Sequence, residues 1–227
     1  MKLAILGGSF NPLHIGHAML ADVIIREMHY DKVLFIPTFK PPHKEITAKI
    51  TTEQRVEIVR RFCEAVGDGK FELETCEVDR GGISYTVDTL EYIIEKYKDE
   101  LEGKPALLMG EEIAAEFSKW KSPDVIAAKA DLIVVPRYPD VYGNSIRAGN
   151  SAIPVTNIKN NPTGSYLGDF RATFNPKKFP YPHKFLDIPI LTISSTEIRA
   201  RIAAGRSFKY LIPKVVYEYI EEAQLYR

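Results

Sequence analysis

The sequence predicts an α/β fold: a doubly wound parallel sheet with helices on both faces and a long insertion before its last strand. Three observations predict it. Apolar runs of strand length, such as Leu3-Ala4-Ile5-Leu6 and Lys32 to Ile36, alternate with segments whose apolar residues recur at helical spacing. A glycine turn, Gly7-Gly8-Ser9-Phe10-Asn11-Pro12-Leu13-His14-Ile15-Gly16-His17, joins the first strand to the first helix. Residues 138–187, rich in Asn, Gly, Pro and Ser, break the alternation, and so long a connection without periodicity is unusual in a compact domain.

The chain has 227 residues, 45% of them hydrophobic, so residues 1–227 read as one domain carrying the 138–187 insertion. Lys plus Arg number 30 and Asp plus Glu number 30, for a formal net charge of zero. That balance argues against a general nucleic-acid binder or a membrane-surface binder, whereas a site for small phosphorylated ligands needs only a local positive patch. No apolar run approaches membrane-spanning length, and Lys2 leads straight into the first strand without the apolar region of a secretory signal. The expected location is the cytoplasm. Cys63 and Cys76 lack metal-ligand spacing and read as two buried thiols.

Each element has its own signal. After the first helix, Lys32 to Ile36 is a β-branched run stopped by Pro37. Thr51 and Gln54 form a capping box that opens a helix with Val56, Ile58, Val59, Phe62 and Val66 on its apolar stripe, closed by Gly67-Asp68-Gly69. Phe71 to Val78 alternates and is predicted as the third strand, with Cys76 in it. Ser84-Tyr85-Thr86 opens a helix to about Tyr97, and Ala106 to Met109 is a short strand ending at Gly110. Ser122-Pro123 reads as a cap with proline at the first helical position, before a strand from Ala130 to Val135. Ile188 to Ile193 is predicted as the last strand, and Ser194-Ser195-Thr196-Glu197 as a second capping box opening a helix from Thr196 to Ala204. Gly205 ends that helix, and Pro213 to Ala223 forms the final one.

Ligands of such sheets bind outside the carboxyl ends of the strands, at the switch in strand order. The chemistry-bearing residues fall there. Gly7, Gly8 and Ser9 let the backbone approach a ligand, and the helix that follows aims its free N–H groups and positive dipole end at an anion such as a phosphate. His14 and His17, three apart, share a helix face and offer donors to a phosphate chain, where a dinucleotide fingerprint would have a third glycine. Ser194, Ser195 and Thr196 place hydroxyls and free amides at a second helix start, and Arg199 lies one turn further in with a forked donor set. Lys44, in a proline-rich loop, supplies a mobile point charge.

The string GGSFNPLHIGH resembles the signature of the nucleotidylyltransferase superfamily, and of the nicotinate (nicotinamide) mononucleotide adenylyltransferase family in particular. Ile193-Ser194-Ser195-Thr196-Glu197-Ile198-Arg199 resembles the second signature of that superfamily, Pro42-His43-Lys44 its P-H-K element, and Ser84-Tyr85-Thr86-Val87-Asp88-Thr89 the family's S-Y-T-x-D-T segment. The resemblance covers residues 1 to about 136 and 188 to 227, and it implies a Rossmann-like sheet. It also implies roles. ATP would be bound by Gly7, Gly8, Ser9, Phe10, His14, His17, Gly110, Glu112, Ile193, Ser194, Ser195, Thr196 and Arg199. The mononucleotide would be bound by Asn11, Lys44, Ser84, Tyr85, Thr86, Thr89 and Trp120, the tryptophan stacking on the pyridine ring. His14, His17, Lys44 and Arg199 would be the catalytic group. Glu112 departs from the family's G-x-D, keeping the charge on a longer arm.

The implied reaction joins ATP and nicotinate mononucleotide into the deamido dinucleotide and pyrophosphate. A phosphate monoester has a second pKa of about 6, so the attacking group is already ionised and no general base is required. Catalysis is then alignment and neutralisation of charge, with Mg²⁺ bound through the substrate phosphates and no protein cluster of metal ligands. Nicotinamide mononucleotide, another acceptor such as phosphopantetheine, and a nucleotide-binding sensor without turnover stay open as alternatives. The SYTVDT segment and Trp120 speak against phosphopantetheine, and intact His14, His17 and Arg199 speak against the sensor. No nucleic-acid or membrane partner is expected, and the oligomeric state, a homo-oligomer included, is left open.

Overall fold

The structure is a computed structural model that describes residues 1–42, 50–135, 179–186 and 193–227. Among the described residues, six strands form one parallel sheet: β1 (Leu3–Gly8), β2 (Lys32–Pro37), β3 (Phe71–Leu73), β4 (Ala106–Gly110), β5 (Asp131–Val135) and β6 (His183–Phe185), in the order β3-β2-β1-β4-β5-β6. This is the doubly wound, Rossmann-like arrangement, whose order reverses between β1 and β4. Gly8 pairs with Pro37 and Gly110 with Val135, so these four residues line up along the carboxyl edge of the sheet.

Alternation along the strands divides the apolar residues between the two faces. Ala4, Leu6, Val33, Phe35, Leu108 and Ile133 face one core, beneath α1 (Ile15–Arg26), α2 (Thr52–Val66), α7 (Ser195–Ala203) and α8 (Lys214–Glu222). Leu3, Ile5, Leu34, Ile36, Leu107 and Val134 face the other, beneath α3 (Cys76–Arg80), α4 (Thr86–Lys96), α5 (Glu111–Ala115) and α6 (Pro123–Lys129). Cys63 and Cys76 are buried, free, and in different cores, with the sheet between them. Burial pushes both thiols up to about 12, so both stay protonated and unreactive.

Local signals in the sequence hold where local bonds decide. Thr51 Oγ1 accepts the Gln54 N–H at 3.2 Å and Gln54 Oε1 accepts the Thr51 N–H at 2.9 Å, a complete capping box for α2. They fail where a side chain redirects the backbone. The strand predicted from Phe71 to Val78 stops at Leu73, and Cys76 belongs to α3. The Glu74 carboxylate accepts the Cys76 N–H at 2.9 Å, and the Thr75 hydroxyl donates to Asp79 Oδ2 at 2.7 Å. These short-range bonds offer the backbone an alternative to the ladder.

Ser122 precedes α6 as expected but makes no side-chain cap, sitting instead in the left-handed region at φ 55°. The sixth strand, His183–Phe185, lies inside the stretch read as insertion, while residues 188–192 of the strand expected there fall outside the described residues, as do residues 136–178. Among the described residues, no helix is long and apolar enough to cross a membrane.

Among the described glycines the tightest surroundings are those of Gly67, which ends α2. A Cβ there would lie 2.3 Å from the Cys63 carbonyl oxygen and 2.8 Å from Phe71 Cβ. Neither neighbour is a flexible side-chain end. Gly67→Ala is therefore expected to destabilise the fold by about 2 kcal/mol, the usual scale of overpacking, read as a lower urea midpoint. An unchanged midpoint would show that the α2–β3 junction yields.

Candidate active site

The glycine turn leaves β1 at Gly8 and passes through Phe10, an L-residue held at φ 44°. That left-handed conformation costs a non-glycine residue roughly 1–2 kcal/mol, so neighbours must hold it. The Phe10 ring is 1% exposed, packed on Phe35 at 5.8 Å between centroids and edge-on to His17 at 5.2 Å. The carbonyls around it are claimed by distant donors. The Thr38 N–H donates to Gly8 O at 2.9 Å, Arg55 Nη1 to Ser9 O at 2.9 Å, Arg199 Nη1 to Asn11 O at 2.7 Å and the Ser195 hydroxyl to Pro12 O at 2.9 Å. With its carbonyls drawn back, the turn presents amides, which is what an anion requires.

His14 is the N-cap of α1, and its N–H donates to His17 Nδ1 at 3.1 Å. An accepting Nδ1 places the proton of a neutral imidazole on Nε2. His17, half-buried, thus carries a donor at its outer nitrogen, and its ring lies 3.8 Å from the more deeply buried His14 ring. The pair sits at the positive end of α1, beside the turn.

The second motif lies against the first. Ser194 caps α7, its hydroxyl accepting the Glu197 N–H at 3.1 Å, and Ile193 packs against the core of that face. Arg199 adds a bond from Nη2 to Thr196 Oγ1 at 3.2 Å. The segment before α4 forms another wall. The Ser84 N–H donates to Lys40 O at 2.9 Å and the Ser84 hydroxyl accepts the Phe39 N–H at 3.2 Å, tying this segment to the loop after β2. Tyr85 is the N-cap of α4 and Thr86 its first residue, both half-buried, with Lys121 Nζ over the Tyr85 ring at 4.6 Å. Gly110 ends β4 and caps α5, with open space where a Cβ would stand. Trp120, half-buried, leans on Phe117 at 5.2 Å beside Phe179 and Tyr181, two aromatics from the stretch read as insertion.

A family model described as Cytidylyltransferase-like matches residues 5–201. A protein of Treponema pallidum named "Probable nicotinate-nucleotide adenylyltransferase" is 40% identical, covering 100% of both chains. Proteins of the same name from Dictyoglomus thermophilum and Borreliella burgdorferi are 36% and 32% identical over the whole of this chain and 100% and 97% of theirs. The chain belongs to the nicotinate-nucleotide adenylyltransferase family. The fold agrees: the Plasmodium falciparum nicotinic acid mononucleotide adenylyltransferase complexed with NaAD superimposes with a TM-score of 0.70 at 18% identity, over 99% of this chain and 97% of that one. The chain is thus a nucleotidyltransferase acting on nucleotide substrates.

Within this family frame the expected site residues sort by where they stand. Gly7, Gly8, Ser9, Phe10, Asn11, His14, His17, Ser195, Thr196 and Arg199 come together at the α1 and α7 starts. Lys44 lies outside the described residues. The Ser195 proton and both Arg199 terminal nitrogens are engaged with the turn and with Thr196, so these residues lock the two motifs together. Glu112 is half-buried in the first turn of α5, next to the more deeply buried Glu111.

Thr89 departs from its expected place facing the mononucleotide. It is 3% exposed, and its hydroxyl donates to Glu77 Oε1 at 2.8 Å and accepts from Arg80 Nη2 at 2.9 Å. Sequence reasoning missed Glu77 and Arg80, which only the unexpected α3 brings under α4. It also missed Arg55, although the signal was present. Arg55, Ile58, Val59 and Phe62 keep helical spacing, and the buried face of α2 is that set with Cys63, whereas Val66 is exposed.

Burial is the largest influence on the Glu77 carboxyl and raises it above its ordinary 4.5, against the opposing effects of Thr89, Ser84, Arg80 and Thr38. A carboxyl raised in the folded state contributes stability that is full below its unfolded pKa and fades as pH rises through the folded one. Glu77→Gln removes that dependence. Its urea midpoint should therefore gain on the parent's as pH is raised from about 4.5 toward neutrality. A constant difference over that range would show that Glu77 titrates as an exposed carboxylate does.

Proposed function

We propose that this protein transfers the adenylyl group of ATP to nicotinate mononucleotide, releasing pyrophosphate and nicotinate adenine dinucleotide in NAD biosynthesis. The observation that carries the reading is the turn at the switch point, whose Gly8, Ser9, Asn11 and Pro12 carbonyls are all turned to internal donors, so that the turn presents amides to a phosphate beside the His14–His17 pair. The likeness in sequence to the Treponema pallidum and Dictyoglomus thermophilum proteins supports the choice of acceptor.

A phosphate oxygen of the mononucleotide attacks the α-phosphorus of ATP. The new O–P bond forms as the bond from that phosphorus to the bridging oxygen of pyrophosphate breaks, and the electron pair leaves with pyrophosphate. The attacking oxygen is already ionised, so the protein's task is in-line alignment and stabilisation of charge spread over the transferring and leaving groups. The Phe10 amide and the α1 start face the polyphosphate, His17 donates from Nε2, and the Ser195–Pro12 and Arg199–Asn11 bonds hold the two motifs in register. Lys44 would add a positive charge, and Trp120 a ring face to the pyridine. Magnesium would be held through the substrate phosphates and would neutralise charge there. Buried free thiols in separate cores support a reducing, cytoplasmic location.

Pyrophosphate release with magnesium-ATP should be strong with nicotinate mononucleotide and weak with nicotinamide mononucleotide. Equal or reversed preference moves the acceptor, and no release with either points to another phosphorylated acceptor or to a sensor. His17→Ala should lower turnover by about 100-fold or more, the scale of one lost transition-state donor, in a chain that still folds with only the modest loss of stability that removing the His14–His17 cap brings. Near-normal turnover in that variant would remove His17 from the chemistry.

A further inference from the structure

We propose that Arg55, which belongs to neither sequence motif, is a positioning residue for the phosphate site: it fixes the Ser9–Phe10 peptide so that the Phe10 amide faces the nucleotide phosphates, and it places behind the turn a positive charge that the bound polyphosphate neutralises. The proposal rests on the reading of the turn as a nucleotide-phosphate site.

Arg55 is 1% exposed. Its Nη1 donates to Ser9 O at 2.9 Å and its Nη2 to Thr52 Oγ1 at 3.2 Å. Among the described residues no carboxylate pairs with it, and Glu53, which acts on it electrostatically, is exposed on the surface of α2. A buried guanidinium without a counter-ion is costly, and a neutral donor would suffice merely to tie down one carbonyl. The charge itself therefore calls for an explanation, and the position supplies one.

A peptide unit is planar and trans, with C=O and N–H on opposite sides. Drawing the Ser9 carbonyl inward to Arg55 turns the Phe10 N–H the other way, and among the described residues no acceptor takes that N–H. Phe10 stands at φ 44°, in the left-handed region. Tyr226, in the C-terminal segment, also acts on Arg55. It is 8% exposed, its hydroxyl is buried, and its phenol interacts electrostatically with both Arg55 and Arg199. Burial keeps that phenol protonated, so it offers a dipole and not a counter-charge.

Calorimetric titration of the full chain with magnesium-ATP, without acceptor, tests this apart from turnover, with adenosine as the phosphate-free probe. Arg55→Met should weaken ATP binding about 30-fold, the scale of one charged hydrogen bond, and leave adenosine binding within about twofold. Arg55→Lys, which keeps the charge and loses the fork, should fall between, at about fivefold for ATP. Wild-type ATP affinity in a folded Arg55→Met, or equal losses for ATP and adenosine, would overturn the proposal. Should Arg55→Met fail to fold, Arg55→Lys decides alone, and wild-type selectivity for ATP over adenosine there would overturn it. A parent chain that shows this Arg55 dependence yet releases no pyrophosphate with any acceptor would end the functional reading and keep the proposal.

Discussion

The site depends on one constraint: the carbonyl oxygens of a strained turn must be satisfied from inside the protein, so that its amides are left for a ligand. Phe10 in the left-handed region would relax if nothing held it. Arg55 from α2, Ser195 and Arg199 from α7 and the Thr38 amide after β2 each hold one carbonyl of the turn. Three separate parts of the chain converge on the peptide units that follow β1. The sheet order makes this convergence possible. β1 is central, and the elements that supply the donors all emerge at the carboxyl edge beside it.

A second buried polar arrangement stabilises the other wall. Glu77 and Arg80 on α3 bracket the Thr89 hydroxyl on α4, while Ser84 bonds to Phe39 and Lys40. Here a carboxyl group and a guanidinium share one hydroxyl, Glu77 through Oε1 and Arg80 through Nη2, so a cation and an acid lie together away from the turn. The contrast with Arg55 is physical. One network pairs its cation with a nearby carboxyl group and serves architecture, whereas the other carries a cation with no carboxylate partner among the described residues, held by a carbonyl of the turn and by the Thr52 hydroxyl.

The glycine turn, the histidine pair, the capped start of α7 and the parallel alternation were all readable in the chain, because each depends on neighbours a few residues away. Capping boxes, glycine turns and amphipathic stripes are local, and their physics is complete within one or two turns of helix. The third strand was misread because the alternation of Phe71 to Val78 is the same whether or not Glu74 and Thr75 divert the backbone. The three residues of β6 carry no apolar pattern of their own, and only pairing with β5 makes them a strand.

The sequence by itself determined the fold class, the two motifs at the α1 and α7 starts and the likeness to a nucleotidyltransferase family, since these reside in contiguous residues with fixed spacing. Tertiary structure alone decided which polar side chains face a ligand and which are consumed inside. Thr89 and Ser195 were read as ligand hydroxyls, but the structure engages their protons with Glu77 and the Pro12 carbonyl. Arg55 drew no reading from the sequence, and packing of α2 against the sheet placed it under the turn. A hydrogen bond between residues 46 positions apart has no local trace, because its partners are chosen by the order of strands and not by the order of residues.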